Sequence, residues 1–145
     1  MKTRRLALAI AMMCASSATF AAQAQSDDWL PKAHQKDGVS WISGGVGKEE
    51  VNAMHAVASR YNLRLIMAEA QKPRDAFLGD VSVKITGPKG NVLDIRTDGP
   101  LLYVKLPPGR YTVSAEVAGH TLTRTLTVKA KASMQAALIW PEGTA

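Results

Sequence analysis

Among the residues able to do chemistry, the run Gly44, Gly45, Val46, Gly47, Lys48 stands out first. Glycines ahead of a helix leave backbone amides free to face an anion, and a lysine at the helix start adds charge. Binding residues Gly44, Gly45, Gly47 and Lys48 are therefore one expectation. A nucleotide phosphate loop is excluded. It needs a glycine five residues before Gly47, where Ile42 stands, and a magnesium-binding Ser or Thr where Glu49 stands. The alternative for the same run is a flexible lead-in with a glycine N-cap.

The other reactive side chains are scattered. His34, His55 and His120 fall in three different segments with no H-x-H or H-x-x-x-H pair, so no metal site is expected. Asp27-Asp28 and Glu49-Glu50 are adjacent pairs whose side chains diverge, and no G-x-S-x-G or S-x-x-K motif occurs. The one cysteine, Cys14, precedes any mature domain, which removes disulfides, thiolate metal sites and cysteine nucleophiles. The chain reads as a non-enzyme with no cofactor. Threonines 121, 123, 125 and 127, with Trp29 and Trp41 as exposed aromatic residues, offer a glycan or peptide platform. They also suit plain solvent-facing strand positions.

The elements that would position these residues follow from periodicity. Val39–Ile42 is a short strand, and Lys48–Tyr61 reads as a helix. Val51, Met54, Val57, Ala58 and Tyr61 share its apolar face, and Glu49 and Glu50 lie in the first turn. Asn62 suits a left-handed stop. Leu63, Leu65 and Met67 alternate along a strand, and Glu69–Leu78 reads as a loop. Beyond it the pattern is strand and turn throughout. Val81, Val83 and Ile85 alternate with polar residues, as do Tyr111, Val113, Ala115 and Val117. One-sided alternation of this kind suits two sheets facing across a shared core.

The N-terminus reads as a secretory leader. Lys2, Arg4 and Arg5 precede the apolar run Leu6–Met13, and Ala22-Gln23-Ala24 places cleavage before Gln25, with cleavage after Ala21 as the alternative. The apolar run is shorter than the roughly 20 residues of a spanning helix. Ala11-Met12-Met13 ahead of Cys14 does not make a lipobox. Removing three cations from 18 basic residues, against 12 acidic ones, leaves +3, so nucleic acid is not an expected partner. The expected organisation is residues 1–24 as signal peptide, 25–38 as flexible linker, 39–78 as a Gly-loop, helix and strand extension, and 79–145 as a β-sandwich. Residues 39–145 are expected to fold as one unit in the periplasm or secreted.

Val81, Val83, Ile85, Gly90, Thr97, Asp98, Gly99, Leu106, Pro107, Pro108, Gly109, Tyr111, Thr112, Val113, Gly119 and Val128 carry a family pattern. Over Asp80 to about Leu138 the chain resembles a carboxypeptidase regulatory-like domain. The resemblance implies a mainly β fold, a transthyretin-like antiparallel sandwich of about seven strands, here with one N-terminal amphipathic helix. Pro100 and Leu101 follow Asp98-Gly99 directly, so the turn is shorter than the family's. The transthyretin-like fold includes a hydrolase family ending in Tyr-Arg-Gly-Ser. This chain ends Pro141-Glu142-Gly143-Thr144-Ala145, and that activity is not carried over. The leading functional expectation is a non-enzymatic periplasmic interaction or structural module, engaging an envelope partner through a strand edge or loop face. The alternative is an accessory protein binding a small ligand, anion or glycan at Gly44–Lys48 and nearby tryptophans. A concave pocket joining that loop to aromatic residues would favour the second, and a flat apolar patch or open edge the first.

Overall fold

The computed structural model describes residues 28–145. The expected leader and its expected cleavage site lie outside them. Strands β1 (His34–Lys36) and β2 (Val39–Gly44) lead into helix α1 (Lys48–Val57) and a 3-10 turn at Ala58–Arg60. Then come β3 (Leu63–Glu69), β4 (Ala76–Phe77), β5 (Ser82–Gly87), β6 (Gly90–Arg96) and β7 (Leu101–Lys105). Strands β8 (Gly109–Val117), β9 (His120–Val128) and β10 (Met134–Trp140) complete the chain.

The fold is mainly β, with two sheets facing each other and one helix. The first sheet runs β1-β2-β7-β3-β10, with β4 added along β3, and the second runs β6-β5-β8-β9. Inward side chains of both meet in one core: Leu63, Leu65, Leu102 and Leu138 from the first, Val83, Ile85, Val113 and Ala115 from the second. Each fully buried Leu, Val or Ile side chain here contributes roughly 1.5–3 kcal/mol. Tyr111 points into this core, and its hydroxyl donates to the Pro107 carbonyl at 2.6 Å, holding the Pro-Pro-Gly turn between β7 and β8. Thr97 closes the end of the β5–β6 pair. Its hydroxyl accepts from the Val81 amide at 3.0 Å where the chain leaves β6 for β7.

A second apolar cluster lies on the outer face of the first sheet, where Met54, Val57 and Ala58 pack over Ile42, Leu101 and Tyr103. The molecule therefore has three layers: helix, mixed sheet, antiparallel sheet.

The structure departs from the sequence reading at several points. There are ten strands among the described residues, and β3 with β10 forms a parallel pair, Leu63 opposite Met134 through Glu69 opposite Trp140. An all-antiparallel sandwich is thus corrected to one with a mixed sheet. Nothing local in either strand encodes a partner some 70 residues away. Residues 34–36, within the expected linker, pair with β2, turning through Asp37 and Gly38 at positive φ. The expected loop at Glu69–Leu78 contains β4. The helix stops at Val57, and Asn62 is not a left-handed cap. Its side chain instead imitates a ladder rung, donating from Nδ2 to the Leu106 carbonyl at 2.7 Å and accepting the Leu106 amide at 2.8 Å. Strand β7 lies between β2 and β3, so segments 39–78 and 79–145 share one sheet.

Candidate functional site

The outer face of the first sheet is a grid that can be written from its registers. One row holds Tyr103, Arg64 and Gln135, the next Leu101, Ile66 and Ala137, and the third Phe77, Ala68 and Ile139. Helix α1 covers the β2–β7 side of this grid and stops short of the β3–β10 side. A groove of about 510 Å³ remains along the helix flank. Val51 and Ala58 wall it on the helix side, Ile66 and Leu101 floor it, and Phe77 and Gly45 stand at its margins. Phe77 is 71% exposed and Ile139 45% exposed, so the apolar rows run out of the groove into open surface. The volume is in the range of small-molecule sites.

Arg64 is the one cation among the groove's lining arginines and lysines, and it is half-buried. Its Nε is buried and finds no hydrogen-bond partner. Among the described residues the ion pair is elsewhere, between Arg96 and Asp80 on the surface. A buried donor left unpaired costs about 1–3 kcal/mol, and more when charged. Burial pushes the Tyr103 phenol up from its ordinary pKa, and the neighbouring Arg64 charge pulls it partly back. His55 and Gln135 add polar atoms to the rim.

The Gly-rich loop has a different occupant from the one its composition suggests. Glu50, in the first turn of α1, reaches back so that its Oε1 accepts the Gly45 amide at 2.7 Å and the Val46 amide at 3.4 Å. The acid at the third helical position reaches past the Gly47 N-cap to the two amides before it, one step beyond the N-cap amide that a capping box would engage. A carboxylate of the chain itself thus sits where an external anion would at those amides. Gly44 is buried with its missing side chain facing that carboxylate and Pro31, and Gly45 takes φ of 93°. Gly47 is the N-cap, and Lys48 is exposed at the first helical position. Of the four predicted residues, Gly45 alone lines the groove.

The remaining candidates are dispersed. Trp41, expected to be exposed, packs against the inner core, with the His34 ring stacked on it at 5.4 Å. Trp29 is exposed, and threonines 121, 123, 125 and 127 face solvent on β9. His55 lies on α1, and His120 begins β9, where its carbonyl accepts the Trp140 indole N–H at 2.9 Å. Among the described residues no three His, Cys, Asp or Glu side chains converge as metal ligands, and no helix is long and apolar enough to cross a membrane.

Sequence reasoning missed Arg64, Phe77 and Ile139. A signal was present: Leu63-Arg64-Leu65-Ile66-Met67-Ala68 is almost continuously apolar, the mark of a strand buried on both faces. A second hollow of about 380 Å³ holds Arg60, Lys105 and Lys131, all exposed, at the far end of the helix. No protein-family model matches the chain, and none of the curated proteins is similar enough to count as a match.

Proposed function

We propose that this protein is a non-enzymatic, exported accessory module that holds a small apolar ligand in the groove between α1 and strands β3 and β10. The observation that carries the reading is the half-covered outer face. An apolar sheet surface normally gains a full covering layer, and here the cover ends over a concave, largely apolar hollow with Gly45 at one margin and Phe77 at another. The sandwich of β5 to β10 is read as a carboxypeptidase regulatory-like domain on its Thr97-Asp98-Gly99 and Leu106-Pro107-Pro108-Gly109 segments, and the basic start, apolar run and Ala22-Gln23-Ala24 support a reading of export to the periplasm or outside the cell.

Engagement through a strand edge has less support. The edge strand β9 carries exposed Arg124 at an inward-facing position opposite Val113, and β6 carries an irregularity at Val92 opposite Ile85 and Thr86. Both devices discourage strand addition. The test is a titration of the isotope-labelled mature protein with 1-decanol, a neutral apolar probe. Amide shifts should concentrate at Val51, Ala58, Ile66 and Phe77. Shifts confined to β6 and β9, or none, would overturn the groove reading. Ester, peptide and glycoside substrates should go unhydrolysed.

A further inference from the structure

We infer that the groove is selective for an amphipathic anion, a compact apolar body carrying one carboxylate, with Arg64 as its charge partner. This rests on the groove reading above and adds the chemistry of the ligand to it.

Among the described residues Arg64 has no counter-charge. Arg64 projects from the outer face of β3, between Tyr103 and Gln135 in the same row. The two acids nearest in sequence on the helix are not available to it: Glu50 is turned to the Gly45 and Val46 amides, and Glu49 is exposed in the first turn. The buried Nε keeps its proton without an acceptor. A planar guanidinium with free donors matches a carboxylate in a two-point geometry, and such charge-assisted bonds are about twice as strong as neutral ones.

The surroundings select the rest of the ligand. Val51, Ala58, Ile66 and Leu101 offer no polar atoms from their side chains, and the row beyond them, Phe77, Ala68 and Ile139, extends the apolar track away from Arg64. A headgroup at Arg64 therefore leaves its apolar body lying over Ile66 toward Phe77. A highly polar anion such as inorganic phosphate would satisfy the arginine and waste the walls. The contrasting hollow at Arg60, Lys105 and Lys131 shows the alternative design, in which the cations are exposed and already solvated.

The experiment is calorimetric titration of the mature protein with decanoate, 1-decanol and decylammonium, each below its aggregation threshold. Decanoate should bind most tightly and decylammonium most weakly. Arg64→Met, which keeps an unbranched apolar stem, should weaken decanoate about ten- to a hundredfold and leave decanol within about twofold. Phe77→Ser should weaken both probes, and Lys131→Gln neither. Unchanged thermal unfolding of each variant shows that the fold is intact. Equal binding of decanoate and decanol, with both unaffected by Arg64→Met, would overturn the anion inference and leave the groove reading standing. Failure of all three probes to bind would overturn both.

Discussion

The two sheets of this protein bury their inner faces alike and differ in what they do with the outer ones. On the second sheet the outward set is Ser82, Lys84, Thr112, Ser114, Glu116 and the β9 threonines, side chains that water solvates. On the first sheet the outward set includes Ile42, Ile66, Leu101 and Tyr103, and a helix has to cover it. A solvated face ends a structure. An apolar face asks for another layer, and where that layer is shorter than the sheet the remainder becomes a place for something else to dock. The groove exists because α1, running back from the Gly44 end of β2 to the start of β3, lies over β2 and β7 and leaves the Ile66 and Phe77 side of the sheet uncovered.

That contrast can be broken most forcefully at Met54, which is fully buried between α1 and the sheet. Met54→Ala should cost about 2–5 kcal/mol by lost burial and a residual cavity. Chemical denaturation measures it, and a cost below about 0.5 kcal/mol would mean that the helix layer is not part of the folded core. The inner core gives the next effect. Val113→Ala, at a position with no exposure, should cost on the order of 1–3 kcal/mol with the m-value unchanged.

A pH effect distinguishes one end of the first sheet. Glu69 is buried, and its carboxylate accepts the Ala145 amide at 2.7 Å, the Gly143 amide at 3.0 Å and the Gln71 side-chain amide at 3.3 Å. These bonds favour the ionised form, the Ala145 amide most of all, and hold its pKa below the ordinary carboxylate value. A depressed folded-state pKa contributes stability that is present above the unfolded value and lost as pH falls through the folded one. The Gly143 and Ala145 amides should therefore exchange faster as pH drops below about 4, after correction for the intrinsic pH dependence of exchange. Glu69→Gln should show fast exchange already at neutral pH. Amide exchange equal in the two proteins at pH 7 would remove Glu69 as the anchor of this tail.

The smallest effects belong to the exposed positions, and they sharpen the comparison. Thr123→Ala on β9 and Phe77→Ser at the groove margin should each change stability by less than about 0.5 kcal/mol. Only Phe77→Ser should alter probe binding. If Phe77→Ser destabilises the protein like a core substitution, the groove margin is structural.

Much of the second sheet was legible beforehand because its physics is local. Val83 and Ile85, or Tyr111, Val113 and Ala115, alternate with polar residues every second position, and Pro107-Pro108-Gly109 marks the turn between strands. Alternation names the face that turns inward without naming the partner strand. On the first sheet the same rule failed. β3 is apolar in both phases, so periodicity found its inward residues and could not say what covers the others.

The candidate site shows the same division. The types at Gly44, Gly45, Gly47 and Lys48 suggested an anion held by free amides. The structure places the Glu50 carboxylate on the Gly45 and Val46 amides, and Gly45 alone of the four at the groove. Arg64 carried no motif. Its significance comes from Tyr103 and Gln135 beside it, brought together by strands 39 and 71 positions away along the chain. Residue types and short-range spacing by themselves determined which strands alternate, where turns fall and which cysteine-, metal- and nucleophile-based chemistries the chain lacks motifs for. The tertiary structure alone decided that β3 and β10 run parallel, that the helix covers half a sheet, and that an arginine with no counter-charge among the described residues faces an apolar groove. Strand pairing and burial depend on contacts distant in sequence, and no local pattern encodes them.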